Sequence, residues 1–128
     1  MAQKKDKEPK NTYTIYEDNT MGRVTIANEV IVAVAAIAAL EIDGVAHLGG
    51  GITLDKASRA GERALSRGVK AELEEGKIHV RLIVYLNYGC SIPETCTKIQ
   101  ERVKSTLENM TGIDVAEVRV SVADIVTQ

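Results

Sequence analysis

The sequence predicts an α/β (α+β) domain built as a two-layer sandwich, with a mixed sheet containing a β-hairpin on one side and two main helices on the other. Three observations carry the prediction. Between residues 69 and 86 apolar residues alternate along two arms joined by Glu75-Gly76, the pattern of a hairpin with one buried face. Residues 29–41 and 92–110 each repeat apolar residues every three or four positions, as a half-buried helix does. Each helical stretch is followed by a glycine and a further alternating stretch, which gives the element order β-α-β-(basic segment)-β-β-α-β. Both helices and one face of every strand are apolar, and two stacked layers bury all of them together.

Residues 1–20 read as a disordered basic tail, because Lys4, Lys5, Lys7 and Lys10 outnumber Asp6 and Glu8 and no apolar period is present. A single domain is expected over 21–126. It opens with a short strand after Gly22 in which Val24 and Ile26 share a face, and Asn28 stands where a helix N-cap belongs. The helix over 29–41 stops before Gly44. Its side made of Val30, Val34 and Ile37, flanked by Ile31 and Leu40, is expected to meet the sheet. The opposite side is not polar; it carries Val32, Ala35, Ala36 and Ala39.

A helix that is apolar all round is covered on both sides, and two covers fit this one. The first is a second copy of the chain or another partner, which makes Val32, Ala35, Ala36 and Ala39 the candidate self-association residues. Small side chains let two helices approach closely across a two-fold axis. The second is the segment after Gly49, folded back over the strip.

Gly44-Val45 opens a weaker strand that reaches Gly49-Gly50-Gly51 and resumes at 52–54. Residues 55–68 read as a short polar helix or ordered loop. Within it Lys56, Arg59, Arg63 and Arg67 fall three, four and four apart, which places them on one helical stripe, the candidate partner-binding surface. In the hairpin, pairing Glu74 with Lys77 sets Leu73 opposite Ile78, Ala71 opposite Val80 and Val69 opposite Leu82, so register and burial agree. Ser91-x-x-Glu94, with Pro93 in the first turn, is a capping box for the second helix. The apolar stripe of that helix is Ile92, Cys96, Ile99, Val103, Leu107 and Met110, and Gly112 ends it. Ala116, Val118, Val120 and Val122 alternate as a last strand, with Glu117, Arg119 and Ser121 on its polar face. The run of strand, cap, helix, glycine and strand occurs around 24–48 and again around 78–122, a hint of two β-α-β halves.

Composition narrows the function classes. A length of 128 residues is one domain's worth, and with aromatics at 3%, all tyrosine, the core lacks the walls from which large ligand pockets are usually built. A net charge of −2 argues against a phosphate polymer as the main partner. Cys90 and Cys96 fit neither a redox nor a zinc spacing and read as reduced cytosolic thiols. The N-terminus has no signal-peptide core, and the longest apolar run, 30–40, is too short for a membrane helix of about 20 residues, so a cytoplasmic chain without direct membrane insertion is expected.

No catalytic, cofactor-binding or metal-ligating residue stands out. Neither a Walker loop nor a dinucleotide fingerprint is present, and Gly49-Gly50-Gly51 reads as a plain flexible turn. His47 and His79 have no ligand partner at metal spacing. Cys96 sits on an apolar stripe and Cys90 has no evident activating cation. The chain is therefore expected to work by contacting other macromolecules. The basic stripe supplies the alternative, a nucleic-acid-binding regulator, although no aromatic is interleaved for base stacking and Asp55 and Glu62 dilute it.

Together, Gly22-x-Val24-x-Ile26, Glu29-Val30-Ile31, Gly44-Val45, Gly68-Val69, Val84-x-x-x-Tyr88-Gly89, Ile99-Gln100-x-x-Val103, Met110-Thr111-Gly112 and Val118-x-Val120-x-Val122 resemble the alkaline shock protein family of envelope-stress proteins. The resemblance spans residue 22 to about residue 124. It implies an abundant, non-enzymatic bacterial protein of cell-envelope homeostasis that self-associates or is held near the inner face of the membrane by a membrane-anchored partner. No catalytic residue comes with it. Arg119 stands where relatives often show Asn, and residues 55–67 do not align with the family pattern.

Overall fold

The computed structural model describes residues 12–18 and 22–127. Strands β1 (Thr12–Asp18) and β2 (Gly22–Ala27) pair antiparallel as a separate two-stranded sheet. The tail expected over 1–20 is therefore corrected at its end, since residues 12–18 are a strand, while residues 1–11 lie outside the described residues. Thr12, Tyr13, Thr14, Ile15 and Tyr16 are β-branched or aromatic, types that favour a pleated chain even where charge dominates nearby. Helix α1 (Asn28–Leu40) begins one residue earlier than expected, with Ala27 in the cap position and Asn28 already helical.

The main sheet is organised by one strand. β5 (Lys77–Asn87) pairs antiparallel with β3 (Val45–Leu48) and β4 (Val69–Glu74), and parallel with β6 (Val115–Val126). Ile83 accepts a hydrogen bond from Gly49 N at 2.9 Å and donates its own N–H to Gly68 O at 2.8 Å. The N–H and C=O of one extended residue point the same way, so β3 and β4 lie end to end on one flank of β5 and β6 runs along the other. The hairpin register is the expected one, with Leu73 opposite Ile78, Ala71 opposite Val80 and Val69 opposite Leu82. Glu75, at φ 54°, and Gly76, at φ 78°, both adopt the left-handed conformation that this two-residue turn requires.

The helices cover one face of this sheet. Ile78, Val80, Leu82, Val84 and Leu86 alternate along β5 and are all buried, beneath α1 and α4 (Ile92–Thr111). On α4 the middle of the predicted stripe, Ile99, Val103 and Leu107, is buried, but its ends are not: Ile92 and Met110 are exposed and Thr95 and Thr111 take their places. Thr111 manages burial by donating to Leu107 O at 2.7 Å and accepting from Ile113 N at 3.0 Å. Ser91 holds the cap position without the side-chain bond of a capping box. Gly112, at φ 76°, ends the helix in the left-handed conformation.

Between β3 and β4 the chain makes two short helices, α2 (Leu54–Ala57) and α3 (Glu62–Leu65), which pack on α1 and bury Ala57 and Leu65. Residues 52–54 do not resume a strand; Ile52 forms an isolated bridge with Leu48, and Leu54 already starts α2.

Candidate interaction surfaces

The strip read as a self-association surface lies inside the chain. Val32, Ala35, Ala36 and Ala39 are buried, at 2% exposure or less. This corrects the expected orientation of α1. The alanine side goes inward because small residues let the helix come close to α4 and the sheet, while α2 and α3 close over it. The second cover foreseen for the helix, the segment after Gly49, is the one present. Val30, expected to face the sheet, is instead 42% exposed, and Val34 and Ile37 are only partly buried.

The four cations of the basic segment do not form one helical stripe, because residues 58–61 separate α2 from α3. Lys56 lies in α2, where its backbone N–H donates to the Thr53 cap hydroxyl. Arg59 pairs with Asp55 at 3.1 Å, an exposed contact of little energetic weight. Arg63 lies in α3 and Arg67 beyond it, with its stem against Gly50.

The face of the sheet away from the helices is polar and arranged in rows. Lys70 of β4, Arg81 of β5 and Arg119 of β6 stand in register across three strands. The next row is Glu72, His79 and Glu117. His79 Nδ1 lies 3.2 Å from Glu117 Oε1 and its Nε2 3.7 Å from Glu74 Oε1, while Arg119 pairs with Glu117 at 3.2 Å. On the same face His47 stacks on Tyr85, ring centres 4.4 Å apart. The histidines thus serve polar surface contacts, and no group of His, Cys, Asp and Glu among the described residues has the spacing of a metal site.

Hydrogen bonding to His79, then the charge of Arg119, hold the Glu117 carboxyl below the ordinary value. A depressed carboxylate pKa contributes stability that is complete above the ordinary Glu range and is lost as pH falls through the depressed value. His79→Ala should therefore move the Glu117 titration upward, as read by NMR of its carboxyl carbon. An unchanged midpoint would assign the depression to Arg119 alone.

Cys90 and Cys96 are free thiols. Burial, followed by the neighbouring Cys90, raises the Cys96 pKa, which disfavours the thiolate that a nucleophile needs.

The last surface is an edge. β6 bonds to β5 along one side, and among the described residues no strand lies on the other. Its register shifts near residues 116 and 123, leaving a straight run over 117–122 between them. Gln100 Nε2 of α4 donates to Val118 O at 3.2 Å and covers one carbonyl of the strand.

Comparison with known proteins places the chain. The model of the alkaline shock protein 23 family, described as having a cell envelope-related function, matches residues 16–127. The chain belongs to this family. Its relatives include the uncharacterized protein YqhY of Bacillus subtilis, 36% identical over 110 residues that cover 86% of this chain and 82% of the relative. The uncharacterized protein Spy1535 of Streptococcus pyogenes is 29% identical over 84% of this chain and 82% of its own length. A Streptococcus pyogenes protein named as a stress response regulator gls24 homolog is 28% identical over 93% of this chain and 67% of its own length. No solved structure matches. As a member of the alkaline shock protein 23 family the chain has a cell envelope-related function, and among its described residues no helix is long and apolar enough to cross a membrane.

The cation row on the open face was not singled out from the sequence. Two of its three members were legible, because the hairpin register that pairs Val69 with Leu82 also sets Lys70 opposite Arg81. Arg119 joins only through the parallel register of β6, which no local pattern specifies.

Proposed function

We propose that the chain is a non-enzymatic envelope-stress protein that works at the cytoplasmic side of the membrane as a scaffold, by self-association or by binding a membrane-anchored protein. The free edge of β6 carries this proposal. An unpaired strand edge offers a row of main-chain donors and acceptors to an added strand, and natural monomers blunt such edges with prolines, short strands, β-bulges or covering elements. On β6 the two register shifts leave the run over 117–122 regular between them. β6 has no proline, and its 12 residues make it the longest strand among the described residues. Its membership of a family with envelope-related function supports the setting.

A photo-crosslinking residue placed at Ala116 or Ala123, both exposed on β6, should capture a second copy or a membrane protein in living cells. The same residue at Lys98 or Lys104, on the solvent side of α4, should not. Adducts from α4 alone, or none from β6, would reject the edge as the contact surface.

A further inference from the structure

We propose that the cation row on the open sheet face is a binding site for the phosphate group of a small phosphate ester. Beside the row lies a shallow depression of about 300 Å³ lined by Arg67, Lys70, Arg81, Ile83, Arg119 and Ser121, among others. No carboxylate lines it. Adjacent strands are about 4.8 Å apart, so Lys70, Arg81 and Arg119 rise from backbone positions spanning roughly 10 Å. Like charges directly opposite one another on neighbouring strands destabilise a sheet, and an anion seated between them reverses that effect.

The carboxylates of this face, Glu72, Glu74 and Glu117, lie on the other side of the row, where they line a second depression together with the same three cations. Among the described residues only Arg119 of the row has an ion pair, with Glu117, whereas Arg67, Lys70 and Arg81 have none. Two guanidinium forks and an ammonium matched to one small anion are the usual chemistry of phosphate recognition. Arg67 is brought to the rim by the loop at Gly50: a Cβ there would lie 2.8 Å from the Arg67 Cβ, and Gly50 has φ +83°. Only glycine lets the loop close over that side chain's stem.

Two features select a small ester over a long polyanion. Glu72, Glu74 and Glu117 occupy the neighbouring positions of the same face and would repel phosphates continuing along the strands. On the other side Ile83, 42% exposed, offers apolar contact to whatever organic group the phosphate carries. The same chemistry fits a free phosphorylated metabolite and the headgroup of an anionic phospholipid.

Titration of the full chain with inorganic pyrophosphate, and flotation with phosphatidylglycerol or phosphatidylcholine vesicles, separate these sources. Pyrophosphate binding indicates a free ester; binding only to phosphatidylglycerol vesicles indicates a headgroup. In either case Lys70→Gln combined with Arg81→Gln should weaken binding at least tenfold, while Arg59→Gln, outside the depression, should leave it unchanged. Both changes are at exposed positions, and circular dichroism confirms that the variants are folded. Absence of binding to both probes overturns the proposal, as does equal weakening by Arg59→Gln. Tighter binding of a single-stranded RNA through the same residues overturns it as well. The scaffold proposal is tested at the β6 edge, so either can fail without the other.

Discussion

Leu82→Ala should lower the free energy of unfolding by about 3 kcal/mol, among the larger losses any single side chain of this domain can produce. Leu82 is 1% exposed and stands at the middle of β5, opposite Val69 on one flank and Val120 on the other. Removing its branched end forfeits the transfer energy of the lost carbons and leaves a cavity. The surrounding groups belong to three paired strands and two helices, which cannot all move inward together. Urea unfolding followed by circular dichroism measures the loss. A loss below about 1 kcal/mol would mean that the helix layer collapses freely onto the sheet, and the core described above would be wrong.

Gly68→Ala should cost about 2 kcal/mol or more, although it adds only one methyl group. A Cβ at Gly68 would lie 2.7 Å from Gly49 N and 2.8 Å from Gly49 O, and one at Gly49 would lie 2.6 Å from Arg67 O. These contacts are with backbone, which cannot swing aside as a side chain does. The two residues meet because both hydrogen-bond to Ile83, and separating them breaks a bond on that central strand. Gly61→Ala is the control, since a Cβ there meets nothing within 4 Å. Thermal unfolding of the two variants should differ by several degrees; equal melting temperatures would show that the junction relaxes without cost.

The hairpin was fully legible in the sequence because its information is local. A two-residue turn and alternating Val69, Ala71, Leu73 against Ile78, Val80, Leu82 leave one register that buries carbon on carbon. The last strand was legible as a strand, and the β-α-β hint over 78–122 is realised as β5, α4 and a parallel β6, though its register depends on where α4 delivers the chain. The hint over 24–48 is not realised, because β2 pairs with β1 in a separate sheet. The face that α1 buries was misread for a related reason. Val30, Val34 and Ile37 are larger than Ala35, Ala36 and Ala39, yet close approach to α4 favours the small side, and a helical wheel contains no information about a neighbour's distance.

Spacing misled in the basic segment as well. Lys56, Arg59, Arg63 and Arg67 fit a helical period, but the chain breaks between α2 and α3 so that Ala57 and Leu65 can both reach the core. Two buried apolar anchors outweigh the regularity of four solvated charges. Of the four, Arg67 reaches the open-face depression, which no single stretch of sequence brings together.

The chain leaves the sheet at Gly49 and re-enters it at Gly68, on the same residue of β5 and in the same direction. β3 and β4 are thus one strand interrupted by a detour whose entrance and exit coincide. The entropy of closing such a detour rises only slowly with its length, by about 0.6 kcal/mol for each doubling. The sheet is therefore insulated from what the detour contains, provided Ala57 and Leu65 or their equivalents still dock on α1. Residues 55–67, which carry the four cations of the basic segment, lie entirely within it. Sequence drift, insertion or exchange there changes the surface this protein presents while leaving the strands that build it in register.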